Sequence, residues 1–101
     1  MKLKGTERQI KLAEEIIVDS KATIEINIKT TQERLGKFGK IDTLVDNLQI
    51  WEKIKTDYEK AVAKIDDAAF IIQKKSYLDA DAVIAKFNEL SLKSQYKKHN
   101  W

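Results

Sequence analysis

The chain has 101 residues, a net charge of +3, 35% charged and 43% hydrophobic residues, no cysteine, no proline and three glycines. Those figures allow one small domain and favour long helices with charged outer faces, while disulfides and thiolate metal sites are excluded. No apolar run approaches the roughly 20 residues a membrane span needs, and MKLKGTERQ has no apolar segment behind its charges, so a bacterial cytoplasm is the expected location.

Charge is spread evenly. Residues 1–35, 36–75 and 76–101 each carry a net +1, and only KSQYKKHN near the end is clearly basic. A nucleic-acid reader concentrates Lys and Arg on one face, and here arginine occurs only at Arg8 and Arg34.

The first predicted helix spans about 7–35. Thr6 and Gln9 have the spacing of a capping box, and Glu7 suits the positive end of the helix. Ile10, Ala13, Ile17, Ile24, Ile28 and Leu35 then fall on one narrow stripe at about 100° per residue. Within it, ATIEINIKTT alternates isoleucine with polar residues as a strand would. Because the helical stripe continues in phase across residues 23–31, the expectation there is helix. Gly36 reads as the left-handed residue ending this helix, and residues 36–41 as a turn.

A second helix is expected over about 42–75, with Asp42 as its cap. Its seam is Leu44, Leu48, Trp51, Tyr58, Val62, Ile65, Ala69 and Ile72, with Ile54 and Ala61 at the edge. Trp51 and Tyr58 read as core. Residues 76–79 form a further break, and Asp79 caps a third helix over about 80–96 whose stripe is Val83, Ile84, Phe87 and Leu90, extending to Leu92. Phe70 and Phe87 are expected to pack together, and the tail KKHNW to fray. The fold is therefore all-α, a long antiparallel hairpin with a shorter third helix.

No catalytic constellation can be assembled, so the expectation is a non-enzyme without cofactor or metal. His99 is the lone histidine and cannot build a triad or zinc site. Asp42 with Asp46, and Asp66 with Asp67, are pairs common on any charge-dense helix. GKFG lacks the spacing of a phosphate loop. Several apolar residues stand off the seams: Leu12, Ile16 and Ile26 in the first helix, Phe70 and Ile71 in the second. They are candidates for contact with a partner. Tyr96, Lys97, Lys98 and Trp101 are candidates for stacking on bases or filling a partner pocket.

LKGTERQIKLAEEI resembles the N-terminus of short bacterial proteins of phages and mobile elements, which show Gly-Thr-Glu-x-Gln-Ile-x-Trp-Ala-Glu-x-Ile. Leu12 stands where their tryptophan is usual. A later Ala-Lys-Trp-Trp-Ile-Asp-x-Arg segment is similar to AAFIIQKK here, with Phe70 and Ile71 for the aromatic pair, Gln73 for the acid and Lys75 for the arginine. The resemblance implies a helical fold and a mobile-element origin, and brings no catalytic residue. Proteins of that class often inhibit host defences, so the expected partner is a host protein such as Cas9 or its guide RNA complex. A small basic nucleic-acid-binding or regulatory protein, and an oligomerising assembly protein, are the alternatives.

Overall fold

The computed structural model describes residues 3–99. Five helices follow in order: α1 (Glu7–Phe38), α2 (Asp42–Ala63), α3 (Ala68–Gln73), α4 (Lys75–Leu78) and α5 (Ala80–His99). The chain is all-α, and α1 and α2 form the expected hairpin.

α1 starts where its capping box requires. The Gln9 amide donates to Thr6 Oγ1 at 3.1 Å, and the Thr6 amide donates back to Gln9 Oε1 at 3.0 Å. Residues 23–31 are helical. Ile24 and Ile28 are buried beside Ala13, Ile17, Ser20 and Thr31, whereas Ile26 is exposed. Strand-like alternation would have put all three isoleucines on one face. Thr23, Asn27 and Thr31 each donate a side-chain hydrogen bond to the carbonyl four residues earlier, so these polar side chains bond within the helix that contains them.

Three boundaries differ from the sequence expectation. Gly36 lies inside α1, which ends instead at Gly39, with φ at 81° and its amide returned to the Leu35 carbonyl at 2.9 Å. Asp42 is the first residue of α2, and the cap position belongs to Ile41, which offers no side-chain acceptor. α5 continues through Lys97 and Lys98 to His99, past its expected end at 96, while Asn100 and Trp101 of the KKHNW tail lie outside the described residues.

The larger correction is the helix expected over 42–75, which breaks after Ala63. At the break the chain meets its own N-terminus. The Lys4 amide donates to the Asp66 carbonyl at 2.6 Å, and the Ala68 amide donates to the Lys4 carbonyl at 2.9 Å. Leu3 enters the core alongside. Asp67 then caps α3, accepting from the Ala69 amide at 3.0 Å. The break resets the phase of the buried stripe, so Ala68 and Ile71 face inward where the continuous seam predicted Ala69 and Ile72.

α5 runs antiparallel to α2 and completes a three-helix bundle. Phe87 stacks on Trp51, with ring centroids 4.5 Å apart and planes 10° from parallel. Phe87 therefore pairs with Trp51, and Phe70 stays exposed on α3. Farther along, Lys98 pairs with Asp46. On the other side of α2, Lys55 bridges to Glu25 of α1 at 2.6 Å, a contact that raises the Lys55 ammonium above its ordinary value. The molecule measures 48 × 30 × 18 Å. Its long dimension is that of α1, at 1.5 Å per residue.

Candidate functional site

Leu12 and Ile16 lie one turn apart on the flank of the buried stripe of α1. Ile16 is half-buried against the edge of the core, and Leu12 is exposed. α3 and the α4–α5 junction pass alongside this flank without closing over it. Between them lies a cleft of about 460 Å³, floored by the half-buried Ile16 and Ile72 and lined also by Leu12. Leu12 remains 43% exposed at its mouth.

The rim is acidic. Glu15 and Asp19 from α1, and Asp79 and Asp81 from the start of α5, line the cleft, with Lys75 as the one cation among its lining residues. Asp79 is already engaged, because one carboxylate oxygen caps α5 by accepting from the Ala82 amide at 2.8 Å. Among the described residues, Glu15, Asp19 and Asp81 take part in no ion pair, and the pairs that do form lie elsewhere. A chain of net charge +3 thus carries a locally anionic recess. The carboxylates are spread around an apolar floor, and among the described residues no three His, Cys, Asp or Glu groups converge on a possible metal position.

Two of the sequence-predicted residues, Leu12 and Ile16, meet here. The others do not join them. Ile26 is exposed two helical turns and more beyond the cleft, and Phe70 lies outside on α3. Ile71 is a correction: it is 0% exposed, packed in the core by the phase shift at the break. Tyr96 and Lys97 are exposed on the outer face of α5. Lys98 is drawn toward α2 by Asp46, whose hydrogen-bonded carboxylate raises its ammonium above the ordinary value. Trp101 lies outside the described residues.

Sequence reasoning missed Ile72, Glu15, Asp19 and Asp81. A signal for the acids was available, since Glu15 and Asp19 repeat the four-residue spacing of Leu12 and Ile16 on the adjoining edge of the helix. Leu92, expected on the apolar stripe of the third helix, is instead 62% exposed. With Lys93, Tyr96 and Lys97, Leu92 forms an apolar and basic strip on α5. A second recess of about 430 Å³ lies between α2 and α4–α5, under the exposed Tyr77.

No helix among the described residues is long and apolar enough to cross a membrane. Comparison with protein-family models, with curated proteins and with solved structures gives no match to this chain.

Proposed function

We propose that this protein is a non-enzymatic binder that inhibits a host defence protein, with a Cas9-type RNA-guided nuclease as the target. The observation that carries the reading is the cleft at Leu12 and Ile16, an open apolar floor inside an acidic rim. Such a surface takes an apolar anchor side chain flanked by lysine or arginine, and partners with complementary potential find it faster and reject wrong ones. RNA-guided nucleases hold the guide–target duplex in a positively charged channel. A channel segment seated in the cleft is withdrawn from nucleic acid, which blocks guide RNA assembly or DNA binding. The similarity of LKGTERQIKLAEEI to mobile-element proteins supports the same reading.

Purified protein is to be tested against Cas9 in pull-down and in DNA cleavage, added before and after the guide RNA. Wild type is expected to bind and to lower cleavage, while Leu12→Glu and Asp19→Lys lose both effects. Absence of binding together with unchanged cleavage overturns the proposal. Inhibition only when added before the guide identifies assembly as the blocked step.

A further inference from the structure

We infer that residues 3–5 form a strap whose docking decides whether residues 42–73 make two helices, α2 and α3, or one. The buried face of α2 is Trp51, Ile54, Tyr58 and Val62. Continued at about 100° per residue beyond Ala63, that face next collects Ile65, Ala69 and Ile72, each within about 45° of its centre. The chain thus encodes a helix that runs straight through the break, and residues 64–67 hold no glycine or proline to prevent it. What interrupts it is the strap. Leu3 is buried in the core, and Lys4 bonds to the break through both its amide and its carbonyl.

The hydrogen bonds at the break can pass from one form to the other without loss. The strap satisfies the Asp66 carbonyl at 2.6 Å and the Ala68 amide at 2.9 Å. In a continuous helix the same two groups pair with the Phe70 amide and the Lys64 carbonyl, so release of Lys4 orphans neither. The Ala69 amide, held by the Asp67 carboxylate at 3.0 Å, passes to the Ile65 carbonyl. Among the described residues, the Asp66 and Asp67 amides donate to no protein acceptor. On the merged helix they reach the Val62 and Ala63 carbonyls. The opposing weight is apolar. Leu3 and Ile71 are buried while the strap is docked, and the merged helix turns Ile71 about 145° from its buried face. Two packings of one sequence are thus balanced through Leu3. Ile72 floors the acidic cleft in the docked form and joins the α1-facing seam in the merged one, so the cleft belongs to the docked form alone.

Amide hydrogen exchange and Cα chemical shifts of the full chain test this. In wild type the Asp66 and Asp67 amides should exchange at nearly the rate of unprotected amides, with non-helical shifts over residues 64–67. Leu3→Ser removes the buried anchor. It should slow exchange at both amides by about tenfold and move residues 64–67 to helical shifts. The milder Leu3→Ala should move them the same way and carries the test where Leu3→Ser does not fold. Asp66→Gly, on an exposed residue, added to either variant should take back most of that protection, because glycine disfavours the merged helix. Residues 64–67 that stay unprotected and non-helical in every Leu3 variant that folds overturn the inference. So does loss of cooperative folding in both Leu3 variants, since the merged helix should hold the bundle together. So does a wild type already helical there. These readings involve this chain alone. A working strap in a protein that ignores Cas9 defeats only the proposed target, whereas Cas9 binding with no change at residues 64–67 defeats only the strap.

Discussion

Ser20 and Tyr58 donate to a single acceptor, the main-chain carbonyl of Leu78, at 2.6 and 2.8 Å. Ser20 comes from α1, Tyr58 from α2, and Leu78 ends α4 just before α5 begins. One buried carbonyl therefore ties together the elements that must meet for the bundle to close. Ser20 is 0% exposed, and its small side chain lets that carbonyl approach. Its hydroxyl also lies 2.9 Å from the Ile16 carbonyl, so one proton is shared between two acceptors. Tyr58→Phe should cost about 1 kcal/mol, because Ser20 still satisfies Leu78. Ser20→Ala should cost a similar amount. The double variant should cost more than the sum, since it leaves the carbonyl buried and unpaired. Urea denaturation of the four proteins, read as a double-mutant cycle, checks the coupling.

The same contact gives a pH dependence. Burial raises the Tyr58 hydroxyl above its ordinary value of 10.0. The folded state thus holds this proton more tightly than the unfolded chain does. Its contribution to stability is complete below pH 10 and declines as pH rises beyond that. The informative quantity is the difference that this one hydroxyl makes. Stability of wild type minus that of Tyr58→Phe should stay flat from pH 6 to 9 and fall above about 10. A flat difference up to pH 11 would show that the hydroxyl is not desolvated.

Gly5 and Gly36 should respond to alanine with opposite signs. Gly5 has φ at +146°, and an added Cβ would stand 3.0 Å from Gln9 Oε1 and 3.2 Å from Ala68 Cβ. Its backbone strain and crowding both act where the N-terminus docks on the α2–α3 break. Gly5→Ala should destabilise by about 1–3 kcal/mol and speed hydrogen exchange at the Lys4 and Ala68 amides. Gly36 is helical, with nothing within 4 Å of a built Cβ. Gly36→Ala should stabilise by about 0.5–1 kcal/mol. Thermal unfolding of both variants decides the comparison.

That docked N-terminus is also what the sequence concealed. The capping box at Thr6 and Gln9 was legible because every group in it lies within one turn. Residues 23–31 were legible because the buried isoleucines keep helical period through the β-branched run. The end of α2 was not, because its cause is distant in the chain: Lys4 supplies the backbone partners that Asp66 and Ala68 would otherwise find in a helix. No glycine or proline marks the place. A local signal did exist in Asp67, a helix cap in front of AAFII, but it was absorbed into the continuous helix expected over 42–75, where adjacent aspartates are ordinary surface charges. The missed break exchanged Ile72 for Ile71. It therefore placed one residue of the cleft in the core and one core residue on the surface.

Leu12 and Ile71 make the sharpest test of the site, because both were candidates for partner contact and the fold separates them. Ile71 is fully buried, so a charge there has no partner and no water. Ile71→Asp should cost several kcal/mol and abolish the cooperative transition of a domain this small. The milder Ile71→Val should cost about 0.5–1.5 kcal/mol and leave partner capture intact. Leu12 stands at the mouth of the cleft, where a carboxylate reaches water. Leu12→Glu should shift stability by under about 1 kcal/mol, yet place another negative charge beside Glu15 and Asp19 and remove the apolar wall. Circular dichroism melts and a pull-down on the same preparations separate the two effects. If Leu12→Glu retains full partner capture at unchanged stability, the cleft is not the docking surface, and the exposed apolar residues farther along α1, Val18 and Ile26, become the next positions to change.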